Sequence, residues 1–90
     1  MNAQRRKQIN DLIEQASVLA GKANDLVGEI ETLRDEEQDY FDNMPESLQG
    51  GEKGDKAQTA IDALDNAVSS MQEVESNLSE VDTYLNEATE

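Results

Sequence analysis

Apolar residues recur along the first half of the chain at alternating steps of three and four positions. This series runs from Ile9 to Tyr40, and Glu37 is its only interruption. The second half repeats the spacing without interruption from Ala57 to Ala88. Alternating steps of three and four keep every member on one side of an α-helix, as in the heptad repeat of coiled coils. The spacing therefore predicts an all-α fold built from two long amphipathic, coiled-coil-like helices.

The apolar stripe is wider than two packed helices require. With Ile9 and Ala57 at heptad position a and Leu12 and Ala60 at position d, position e is also apolar in several repeats. The apolar e residues are Ile13, Ala20, Val27, Ile61 and Val68. We expect them to stay exposed in an isolated hairpin, so that a second copy buries them in a dimeric four-helix bundle. The many alanines of the stripe argue against a dimer, because small side chains bury little apolar area.

The centre of the chain contains the residues that stop a helix. Pro45 cannot continue the first helix, and Gly50-Gly51 gives the backbone freedom to reverse. Asp55 is the predicted N-cap of the second helix, with Gln58 as its capping-box partner. A short connection between long helices makes them antiparallel neighbours. We predict one helical hairpin over residues 1–90, with helix 1 at about 4–43, a loop at about 44–54 and helix 2 at about 55–89.

Two features have two interpretations each. Gly21 and Gly28 lie seven residues apart at position f of the first helix, either as tolerated surface glycines or as a site where a second chain approaches closely. Tyr40 and Phe41 stand at the end of the hairpin. They form either a plug that closes the end of the bundle or an exposed anchor for a partner, surrounded by acids.

The composition argues against catalysis and against a built metal site. The chain has neither Cys nor His, so thiolates and imidazoles cannot act as nucleophile, general base or zinc ligand. The acid-rich stretch that begins at Asp35 has Tyr40 where an EF-hand loop needs glycine. We predict no enzyme activity, no catalytic residue, no cofactor and no dedicated metal site, while weak association of divalent cations with the carboxylates stays open.

The hydropathy pattern predicts a cytoplasmic chain without a membrane span. No apolar run approaches the 18 residues that a transmembrane helix needs. Arg5, Arg6 and Lys7 near the start are not followed by the continuous apolar stretch of a secretory signal.

Acidic residues dominate the charge, with 21 acids against 7 bases and a net charge of −14. Residues 35–46 contain six acids and no base, and no base follows Lys56. This surface either keeps a small bundle soluble or meets a basic partner, with carboxylates on rigid helices standing in for nucleic-acid phosphates. Such a charge repels nucleic acid, so direct binding of DNA or RNA is not expected.

The segment DYFDNMPESLQGGEK at residues 39–53, followed by AIDAL at 60–64, resembles small acidic helical proteins of bacteriophages and prophages. The resemblance covers roughly residues 33–72 and is most specific in YFDNMPE at 40–46. It implies a phage origin and the cytoplasm of an infected bacterium, and it carries no catalytic residues. By analogy of charge and size, phages often encode small acidic proteins that imitate DNA and disable nucleic-acid-binding host defences.

The leading hypothesis is a non-enzymatic protein that binds a basic, nucleic-acid-binding host protein and inhibits or modulates it. The residues predicted to bind this partner are Asp35, Glu36, Asp39, Tyr40, Phe41, Asp42, Glu73, Glu80 and Asp82. The alternative is a scaffold or chaperone-like component of virion assembly, in which the apolar seam and the aromatic end carry the interaction. A purely oligomerising hairpin is the third possibility.

Overall fold

The computed structural model describes all residues 1–90 and contains three helices. These are α1 at Ala3–Asp42, α2 at Glu46–Gln49 and α3 at Glu52–Ala88. Helices α1 and α3 pack along their lengths into an antiparallel hairpin that extends 69 Å and is 14 by 13 Å across. The all-helical hairpin confirms the predicted fold class, and the four-helix bundle stays a prediction.

The ends of α1 follow from local chemistry. Its N-cap is Asn2, whose Oδ1 accepts a hydrogen bond from the backbone N–H of Arg5 at 2.8 Å. This bond satisfies one of the free N–H groups of the first turn. The helix ends at Asp42, before Pro45, which has no N–H to continue the hydrogen-bond ladder.

Helix α3 begins three residues earlier than the sequence suggested. Its N-cap is Gly51, in extended conformation, and Asp55 lies inside the first turn. The prediction that Asp55 caps this helix is therefore wrong, and Gln58 instead donates to Asp62 Oδ1 at 3.0 Å. Because Glu52 and Asp55 both lie in the first turn, their carboxylates interact favourably with the N-terminal end of the helix dipole.

The core between the helices is thin. The buried apolar residues are Ala23, Val27, Ala57, Ile61 and Val68. Three of them occupy position e, so the prediction that the e residues stay exposed is wrong. The residues left exposed instead are the d leucines of α1, at 43–55% of their surface (Leu12, Leu19, Leu26 and Leu33). The seam therefore runs along the a and e rows of both helices, and the leucine row of α1 lies outside it.

Gly54 is the glycine on which the tight reversal depends. A Cβ at this position would overlap the carbonyl group of Gln49 and lie 2.7 Å from its Cα. The side chain of Gln49 also holds α2 against α1, because its Nε2 donates to the Phe41 carbonyl at 3.0 Å. Neither Gly50 nor Gly51 adopts a positive φ. Close packing at Gly54, and not left-handed backbone at the glycine pair, is the feature that requires glycine.

Replacing Gly21 or Gly28 with alanine is expected to stabilise the protein. A Cβ at either position meets no atom within 4 Å, so the change improves helix propensity without a clash. We expect the free energy of unfolding to rise by about 1 kcal/mol for each substitution, as measured by urea denaturation. A loss of stability at either position would instead favour the interpretation that a second chain approaches this face.

Candidate partner-binding surfaces

Arg34 connects the two long helices across the seam. Its Nη1 donates to Asp65 Oδ1 at 3.2 Å, and its Nη2 donates to the neighbouring Asp35 at 3.2 Å. Hydrogen bonds to Asp35 and then to Asp65 raise the pKa of the guanidinium, so it stays charged. Exposed ion pairs of this kind contribute little to stability, because water and salt screen them. The Arg34–Asp65 pair therefore shows which turns of α1 and α3 lie side by side, and it adds little to the stability of the fold.

Most carboxylates have no basic neighbour. Four ion pairs join Arg34 to Glu31, Asp35 and Asp65, and Lys56 to Glu52. Of the 21 acids, 17 therefore lack a base within 4 Å. These charges leave a large negative surface that a basic partner can neutralise.

The predicted acidic site residues form two groups and not one site. Asp35, Glu36, Asp39 and Asp42 are exposed at the end of α1 next to the loop. Glu73, Glu80 and Asp82 lie in the C-terminal half of α3, with Asp82 next to Ala16 around one surface depression. That depression is roughly 35 Å from Asp39 along α1, at 1.5 Å per residue.

The two aromatic residues at the loop end have different environments. Phe41 is half-buried, and its carbonyl accepts the hydrogen bond from Gln49. Tyr40 is 53% exposed and lines a shallow cavity with Met44, Pro45 and Leu48. Phe41 therefore packs as the plug interpretation expects, whereas Tyr40 is accessible to a partner.

Exposed apolar side chains line one side of the hairpin. We call this side the apolar face and define it as Leu12, Leu19, Leu26, Leu33 and Tyr40 of α1 with Val74, Val81 and Tyr84 of α3, all at least 40% exposed. In an antiparallel pair, the d rows of both helices lie on the same side. Near the open end of the hairpin, where α1 begins and α3 ends, the side chains of this face line a groove of about 570 Å³. In this groove Leu12 and Leu19 lie across from Val81.

Acids are excluded from the α3 part of the apolar face. None of the eight acids that follow Lys56 occupies an a, d or g heptad position. Helix α3 thus has one uncharged side and one side rich in carboxylates. The prediction of partner-binding residues included only Tyr40 of the apolar face, although the d leucines and the uncharged g positions of α3 were visible in the sequence.

The structure contains no enclosed site for chemistry. No three acids converge in an arrangement that could hold a metal ion, and every cavity is an open surface groove. None of the three helices has a stretch that is both long and apolar enough to cross a bilayer. No protein-family model, no curated protein and no solved structure matches the chain.

Proposed function

We propose that this chain is a non-enzymatic, phage-type protein that binds a basic, nucleic-acid-binding host protein in the bacterial cytoplasm and inhibits or modulates it. Its carboxylates take the place of DNA phosphates in the partner's Lys- and Arg-lined groove. The observation that carries the proposal is the separation of the α3 carboxylates from the apolar face. This separation leaves the acidic surface free for a partner even when the apolar face is covered.

The geometry of the carboxylates supports this proposal. Glu73, Glu80 and Glu87 follow one another at heptad spacing along α3, which places them about 10 Å apart in an exposed row. Asp35 and Asp39 form a shorter row at the other end of the hairpin. Charges held on rigid helices lose little entropy on binding, which favours recognition of a regular array of basic side chains.

The proposed binding form is a dimer of hairpins that makes a four-helix bundle. The second copy covers the apolar face, and the unpaired carboxylates of both copies point outward. This arrangement doubles the acidic surface without placing carboxylates of α3 in the new interface.

Neutralising four acids is expected to abolish partner capture while the fold remains intact. The variant replaces Asp35, Asp39, Glu73 and Glu80 with Gln, because these exposed acids represent both groups. A tagged protein is used to capture partners from a bacterial lysate at moderate salt, and captured proteins are identified by mass spectrometry. We expect at least a tenfold loss of captured nucleic-acid-binding proteins, and capture that weakens as salt rises.

A matched control changes the net charge equally at other places. It replaces Asp11, Glu14, Asp25 and Glu90 with Gln, and circular dichroism verifies the helicity of both variants. The proposal requires the control to retain most of the captured protein. If the native chain recovers no nucleic-acid-binding protein, or if both variants lose it equally, binding does not depend on these carboxylates as proposed.

An assembly role is the second candidate, and the exposure of Tyr40 favours it. In that role the apolar end of the hairpin docks on a virion component, and the carboxylates do not contribute to binding. Tyr40→Ala then removes the interaction while the four-acid variant keeps it. Tyr40 is a better probe than Phe41, because Phe41 is half-buried and its loss would also weaken the hairpin.

A further inference from the structure

We propose that a second copy of the chain packs on the apolar face with its loop at the opposite end of the bundle. In this arrangement α1 lies antiparallel to α1 of the second copy, and α3 lies antiparallel to α3. The inference rests on the dimer proposed above and adds the orientation of its two chains.

The hairpin alone leaves too much apolar surface in water. Only six of its 90 residues are buried, and no large side chain is fully buried. The 69 by 14 Å outline of the hairpin covers roughly 970 Å², and each partner in a stable interface buries about 800 Å². One side of the hairpin is therefore large enough for a specific interface, and exposed apolar residues that follow one another along such a side mark an interaction site.

A second copy fits this face better than a charged partner does. The a, d and g positions of α3 from Ala57 to Ala88 have no charged side chain. Two chains of net charge −14 can therefore meet through this side of α3 while the acids of α3 stay in water. A basic partner placed on the same surface would find no carboxylate on α3 to neutralise its charge.

Side-chain size along α3 selects the orientation. The half of the face next to the loop has small residues, Ala60, Ala63 and Ala67, whereas the other half has Val81 and Tyr84. With loops at opposite ends, the large half of one α3 packs over the small half of the other. With loops at the same end, the bulky halves of both α3 helices would lie at one end of the bundle and their alanines at the other. Uniform packing density therefore favours opposite loops.

Charge selects the same orientation. Lys22 and Glu29 occupy g positions beside the leucine row, close to the middle of α1. When α1 packs antiparallel to its copy about Leu26, Lys22 of each chain lies near Glu29 of the other. Opposite loops also place the centres of the acidic groups at residues 35–46 of the two chains about 45 Å apart, far beyond the Debye length of about 8 Å. With loops at the same end, these two groups would repel each other.

A distance between two spin labels tests both the dimer and its orientation. The chain has no Cys, so Ser47→Cys near the loop or Asn10→Cys near the open end accepts a single label. Both positions are exposed and lie outside the apolar face. Opposite loops predict label separations of roughly 60 Å for residue 47 and roughly 50 Å for residue 10, from 1.5 Å per residue about Leu26. Pulsed dipolar electron paramagnetic resonance measures both separations.

Each outcome decides the proposal. Both separations near their expected values, with a mass of twice 9.9 kDa by sedimentation equilibrium, support it. Separations below about 30 Å at both positions mean that the loops lie at one end, and they overturn the orientation while leaving the dimer. A concentration-independent monomer overturns both. None of these results changes the lysate experiment, so the partner-binding function stands or fails separately.

Discussion

Replacing Gly54 with alanine is expected to lower the free energy of unfolding by about 3 kcal/mol, near the upper end for overpacked sites. The added Cβ would overlap the backbone of Gln49, which cannot rotate away as a flexible side chain could. Either α2 moves out of its place or the first turn of α3 unwinds. Because small domains are stable by only about 5–15 kcal/mol, this is a large share of the total. Urea denaturation at one fixed protein concentration measures it.

The control for this experiment is Gly28→Ala, the same chemical change at an open position of α1. It is expected to stabilise the protein, so the two variants should move in opposite directions. Equal midpoints for Gly54→Ala and Gly28→Ala would show that the end of α2 does not constrain the start of α3. Fixed concentration is essential, since the stability of a dimer depends on it.

Replacing Leu26 with glutamate is expected to weaken self-association at least 100-fold, equivalent to about 3 kcal/mol. Leu26 is 43% exposed on the apolar face, near the proposed two-fold axis. The dimer would bury two carboxylates next to each other, which costs desolvation and adds repulsion between like charges. Sedimentation equilibrium over a wide concentration range measures the change in dimer dissociation.

Asn24→Glu is the matched control, because it adds the same charge at an exposed position of α1 outside the apolar face. We expect its dimer dissociation constant to stay within a few-fold of the native value. If Leu26→Glu and Asn24→Glu associate equally well, the apolar face is not the interface. Where Leu26→Glu loses helicity as it dissociates, the hairpin depends on its second copy for folding, as its thin core suggests.

We assign separate roles to the acidic surface and the apolar face. In the proposed dimer, the apolar face holds two hairpins together and the outer sides present carboxylates along a rod. The acidic groups next to the two loops lie at opposite ends of that rod. A basic partner with an extended groove, such as one that binds a duplex, matches this length and charge better than a compact pocket does.

The periodic spacing of apolar residues was enough to predict two long helices, and Pro45 marked where they separate. The antiparallel packing also follows from the short connection. Heptad spacing orders side chains around one helix, but it does not set the rotation of that helix against a neighbour. That rotation depends on how closely two backbones approach, so only the packed pair shows Val27 and Ile61 inside and the leucine row outside.

The same limit explains the reversal and the candidate surfaces. The need for glycine at position 54 comes from the backbone of Gln49 across a tight turn, a contact that no local pattern encodes. The sequence by itself determined the helices, their charge asymmetry and the absence of residues for histidine or thiol chemistry. Only the tertiary structure decided which apolar edge forms the seam and that the predicted acids lie in two separated groups. The physical reason is that both outcomes depend on contacts between distant parts of the chain, whereas helix periodicity is local.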